Sequence, residues 1–129
     1  MKIAVLIARI LLGLVFLVFG LTFFFHFIPQ PPPPPGKAGA FEGGLFGAGY
    51  FFPFLKMIES ISGLFLLINR FTPLFVLVLF PIIINIFLFH SYLLPEGLPM
   101  VIPITLLELF LIYAYRKYYM SILTASPTL

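Results

Sequence analysis

Four side chains could do chemistry in places where a charge is expensive to keep: Arg9, Lys56, Glu59 and Glu108, each inside a long apolar run. The densest point is Lys56-Met57-Ile58-Glu59, set between Phe51-Phe52-Pro53-Phe54-Leu55 and Ile61-Ser62-Gly63-Leu64-Phe65-Leu66-Leu67-Ile68. If these runs cross a bilayer, an unpaired ion in hydrocarbon costs several kcal/mol, so each charge must point at something inside the protein. Two cations against two carboxylates sum to zero, which suggests one paired network, with the Asn85 amide beside it at mid-depth. Lysine preceding glutamate is the weaker order for a pair on one helix, so cross-helix partners are expected. Three roles stay open. The network is internal glue that fixes which helix faces which, a polar pocket for a quinone headgroup or small polar ligand with Glu59 or Glu108 handling protons, or an interface where one charge awaits another protein's helix. Glue asks least of the sequence.

His26 and His90 are weaker candidates, both near the same membrane interface. A haem held between two facing histidines is conceivable. Against it, His26 lies about 100° off the inward stripe of its segment at the helical angle per residue, so haem is not expected. A metal would need a third ligand such as Glu96 and is not expected either. No glycine-rich phosphate loop, nucleophile–base pair or zinc spacing occurs, so nothing points to a stand-alone catalytic activity. Cysteine is absent, which removes disulfides, thiolate-ligated metals and thiol redox steps performed by this chain.

Elements that could position these groups follow from composition. With 62% hydrophobic and only 9% charged residues, and a mean hydropathy of +1.20, only a membrane protein fits. The length of 129 residues suits one all-α domain of four transmembrane helices at about 20 residues each plus short loops. The spans are expected at about residues 3–28, 50–69, 73–93 and 100–117, with an outer loop at 29–49. The first is too long for a signal core and lacks a small-residue cleavage site, so it is read as a retained span. Arg9, Gly13, Phe16, Gly20 and Phe27 share one stripe of it, and the glycines invite a close helix neighbour.

The run Pro31 to Pro35 cannot continue a helix and is expected to be a stiff polyproline spacer. Beyond it, Phe41, Leu45 and Phe46 share one face of a short surface helix. In the second span, which starts near Pro53, the inward stripe is Lys56, Glu59 or Ser60, Gly63 and Leu67. In the third, Pro81 and Asn85 share a face; in the fourth, Thr105, Glu108, Ile112 and Tyr115 do.

Four spans put both termini on one side. Lys2, Arg9, Arg70, Arg116 and Lys117 gather there, against Lys37 with Glu42 and Glu96 on the other. The excess of cations places both termini in the cytoplasm. Tyr115, Tyr118 and Tyr119 mark the inner interface, Tyr50 and Tyr92 the outer. The net charge of +3 then speaks of topology and anionic lipid; the bilayer is the expected partner and nucleic acid is not.

Several segments together resemble the DoxX family of small bacterial membrane proteins. They are Ala8-Arg9-Ile10-Leu11-Leu12-Gly13-Leu14-Val15-Phe16, Lys56-Met57-Ile58-Glu59 with Gly63-Leu64-Phe65-Leu66-Leu67, Pro81 with Asn85 and His90, and Leu107-Glu108-Leu109 with Tyr113-Ala114-Tyr115-Arg116. The resemblance implies a four-helix bundle in the bacterial inner membrane. It also implies an accessory subunit of a quinone-linked membrane redox assembly, quinone being the one cofactor suggested, or else a membrane chaperone or scaffold for other membrane proteins. Arg9, Lys56, Glu59, Asn85, His90 and Glu108 match the family's polar positions, and no catalytic role comes with them. The lack of cysteine departs from the relatives that handle disulfides.

Overall fold

A computed structural model describes residues 1–26, 28, 29 and 32–129. Among these the regular elements are all helical: α1 (Lys2–Phe25), α2 (Gly36–Gly47), α3 (Phe51–Leu67), α4 (Thr72–Tyr92) and α5 (Leu98–Ala114), with short 3-10 turns at Pro95–Gly97 and Arg116–Tyr118. Three stretches are long and apolar enough to cross a membrane: α1, α4, and α5 with its preceding turn. At 17 residues, α3 is shorter; with α2, which meets it at 90°, it forms a bent fourth candidate. Pro53 sits in the first turn of α3, where a missing N–H costs nothing.

Four helices close a ring in the order α1, α3, α4, α5, and α1 lies most extensively along α3. That contact depends on bare backbone. A Cβ added at Gly63 would stand 2.6 Å from the Gly13 carbonyl oxygen and 3.0 Å from Leu17 Cα, so only glycine permits this approach. The buried face of α1 is Ala8, Arg9, Leu12, Gly13, Phe16, Gly20 and Thr22, the stripe its spacing predicts; Phe27, the last expected member, lies outside the described residues. The buried face of α3 is Glu59, Ser62, Gly63 and Leu66. It is turned slightly from the expected one, so Lys56 and Leu67 are only partly covered. Leu12, Phe16, Leu66, Val76, Leu79, Ile83 and Leu111 form the apolar centre.

The α3–α4 connection is very tight. Asn69 adopts a left-handed conformation at φ 55; the Arg70 amide donates to the Phe65 carbonyl at 3.0 Å, and the Asn69 amide to the Leu66 carbonyl at 3.4 Å. This is a Schellman ending with asparagine in the glycine position. Phe71 is left-handed as well, at φ 53, and the Thr72 hydroxyl donates to Asn69 Oδ1 at 2.8 Å. The expected short helix after the proline run is α2. Its Phe41 ring packs against Phe89 at 5.6 Å and Phe46 against Phe52 at 4.3 Å, tying it to α4 and α3. Of the proline run, Pro31 lies outside the described residues, as does Gln30 before it.

Candidate functional site

Helix ends, rather than carboxylates, explain Arg9. Its guanidinium donates to the carbonyls of Leu66 at 2.5 Å and Leu67 at 3.1 Å, the last two residues of α3. At 24 residues against 17, α1 outruns α3 by about 10 Å of helical rise. Arg9 lies about 10 Å along α1 from its start, by the same rise. A short α3 therefore ends opposite an arginine at matching depth, with the negative pole of its dipole and its last carbonyls, that of Leu66 already accepting from the Asn69 amide, facing the guanidinium. Arg9 is 8% exposed, so it turns into the bundle and completes a cap that the Schellman turn leaves unfinished.

Lys56 and Glu59 pair with each other. Lys56 Nζ donates to Glu59 Oε2 at 3.1 Å, with the carboxylate side chain 2% exposed and the lysine 23%. This corrects the cross-helix partners expected for them. Unfavourable order on a helix costs only a few tenths of a kcal/mol, about 0.2–0.5. Leaving a buried carboxylate without a cation costs several kcal/mol, and the larger effect decides. Ser60, one residue on, returns its hydroxyl to the Lys56 carbonyl at 2.8 Å and lies against Gly20 of α1.

Glu108 is 1% exposed, and neither carboxyl oxygen has a hydrogen-bond partner among the described residues; the buried Ser62 hydroxyl also has none. Arg9, spent on α3, does not bond to it. The four charges therefore form no single network: one caps a helix, two pair locally, and one carboxyl stands alone.

Asn85 departs furthest from expectation. It is exposed on the outside of the bundle, not beside Glu59 and Glu108. On α4 the buried positions are Thr72, Val76, Leu79 and Ile83. Asn85 follows Ile83 by two residues, about 200° further around the helix, which turns it outward with Pro81. With α3, these residues form a groove of about 280 Å³ lined by Phe51, Phe54, Leu55, Ile58, Pro81, Ile82, Asn85 and Ile86. A second groove, of about 440 Å³, lies at the α3–α4 turn between Asn69, Phe71, Thr72, Pro73, Tyr115 and Tyr118. None of the four charged residues lines either groove.

The two histidines have separate local roles. His26 ends α1 in a left-handed conformation, exposed, its amide bonded to the Thr22 carbonyl. His90 Nδ1 lies 2.9 Å from the Ile86 carbonyl, its ring edge-on to Phe89 and so close to Gly97 that a side chain there would displace the ring. Among the described residues, no three acidic or histidine side chains converge where a metal ion could sit.

Its position in the sequence places Tyr119 only at the interface, yet it is 9% exposed. Its hydroxyl donates to the Pro73 carbonyl at 2.7 Å, which ties the segment after α5 to the first turn of α4. Burial first, then the charge on Glu108 and the neighbouring Tyr115, push this phenol up to about 12, so it remains a donor. Because Arg9 at the start of α1 meets the end of α3, and Tyr119 after α5 meets the start of α4, the helices alternate in direction.

The DoxX family model matches residues 4–91. The chain belongs to the DoxX family. This DoxX protein is an integral membrane protein with several apolar helices, and the matched stretch contains Arg9, Lys56, Glu59, Asn85 and His90. Glu108 and all of α5 lie beyond it. No curated protein and no solved structure matches the chain.

Proposed function

We propose that this DoxX protein is an accessory membrane subunit, a scaffold or chaperone that associates with other membrane proteins, and that its intramembrane charges are internal glue. One observation carries this reading: both cations buried or half-buried within the helices are spent on groups of the same chain, Arg9 on the end of α3 and Lys56 on Glu59. With the interior committed to holding the ring together, the working surfaces are the outward ones. The arrangement proposed is four spans, with α3 as the short second one, both termini in the cytoplasm and the α2 segment outside, in a bacterial inner membrane. Lys2, Arg70, Arg116 and Lys117 lie at the end where the termini meet, in keeping with the excess of cations on cytoplasmic sides.

A second reading, membership of a quinone-linked redox assembly, is favoured by Glu108. A carboxyl with both oxygens buried and unpartnered is the kind of group that could hand a proton to a quinone headgroup reaching the bundle. Mass spectrometry of the chain purified in mild detergent separates the two. The scaffold reading expects a co-purifying membrane protein and no stoichiometric quinone; quinone in stoichiometric amount without a protein partner would reverse the order.

A further inference from the structure

The outward stripe of α4 carries two polar groups that the described residues leave open. Pro81 has no N–H, so the Leu77 carbonyl one turn earlier loses its helical donor. Asn85, one turn later on the same stripe, makes no hydrogen bond to any described residue. Both Pro81 and Asn85 are exposed, as are Leu74, Leu77, Leu88 and Tyr92 along the same side. Asn85 lies about 10 Å in from the Tyr92 end of a helix of 21 residues by helical rise, which is inside the hydrocarbon if α4 spans it. Lipid tails offer neither donor nor acceptor, and an amide left bare there costs several kcal/mol.

We infer that the α3–α4 face docks a second copy of this chain, with Asn85 opposite Asn85 across a two-fold axis. A carboxamide is its own complement: each supplies an N–H donor and a C=O acceptor, so two copies facing one another exchange two hydrogen bonds. A two-fold contact presents the same patch from both sides, as such a pair requires. The groove beside Asn85, about 280 Å³ in volume and walled by Phe51, Phe54 and Ile58, accepts an apolar side chain from the facing copy. Phe54, which lines the groove, is itself 56% exposed and is the apolar side chain that this face offers to a facing copy. The groove lining carries no charged residue that would select a partner of opposite sign, so the self-complementary amide is the group that specifies the occupant.

Because the chain has no cysteine, single cysteines report the contact directly. In liposomes, full-length chain carrying Leu88→Cys is expected to cross-link to itself on oxidation, whereas Leu109→Cys on the outward side of α5 is not. Energy transfer between labelled full-length chains is expected to show dimers that dissociate about tenfold more readily in Asn85→Leu, a change typical of one lost interhelical hydrogen-bond set, and that Asn85→Gln partly restores. Asn85 is on the outside of the bundle, so its replacement leaves the fold intact. A chain that stays monomeric overturns the inference, as do dimers indifferent to Asn85→Leu, cross-linking through Leu109→Cys instead, or a lipid or quinone retained by the native chain and lost in Asn85→Leu.

Discussion

Arg9 and Glu108 are both buried and both bear a formal charge, but their substitution should have opposite consequences. Arg9 donates to two backbone carbonyls at the end of α3; removing it strands that of Leu67 and leaves that of Leu66 only the long bond from the Asn69 amide at 3.4 Å. Glu108 satisfies nothing among the described residues, so removing its charge strands nothing. Glu108→Gln, nearly the same in shape, is therefore expected to leave thermal stability in detergent unchanged or raise it by up to about 2 kcal/mol, as replacing buried charge often does. Melting followed by circular dichroism checks this; a clear loss would mean that Glu108 has a charged partner. Lys56 shows why the pairing was hard to read in advance. Sequence spacing displays both the local and the cross-helix option, and the choice rests on the depth of Glu59, which spacing does not report. Arg9 is a different case. Its stripe was legible, but its partner is the polar end of a helix, and backbone ends appear in a sequence only once the helix boundary is known.

At the level of elements, α1 and α3 were the readable pair. Glycines on one side of otherwise bulky helices leave a visible stripe, and both Gly13 and Gly63 fall at the contact. Gly63→Val would push its branched side chain into the Gly13 carbonyl and the Leu17 backbone. The expected loss is about 3 kcal/mol, the upper end for overpacking because backbone gives way less than side chains. Gly43→Val, on α2 with open space around it, is expected to leave stability unchanged or raise it by under about 1 kcal/mol, because valine is the better helix former. Comparing the two by thermal unfolding tests the close approach; equal losses would refute it. For α4 the opposite held. It is apolar on nearly every side, so periodicity says little about which face turns inward, and polarity alone points Asn85 to the interior. Buried Thr72, Val76, Leu79 and Ile83 take that face, and the amide is left outside.

For the whole molecule, membrane class and helical architecture were legible from composition, since so few charges cannot coat a soluble surface of this size. The family match covers α1 to most of α4 and stops before α5; the ring nevertheless needs α5, which packs on both α4 and α1. What composition could not display was the allocation of the charges, because one short helix changes it: α3 stops early, Arg9 is drawn to its end, and no described residue bonds to Glu108. In the proposed function the interior charges hold the bundle and do not bind a ligand. The most direct test is the melting temperature of the native chain and of Arg9→Gln in mild detergent, each with and without added quinone. The expected result is a lower melting temperature for Arg9→Gln, by about 1–3 kcal/mol of stability for stranded buried acceptors, and no rise in either protein when quinone is added. A quinone-dependent rise in the native chain that disappears in Arg9→Gln, with the unliganded melting temperatures equal, would contradict it.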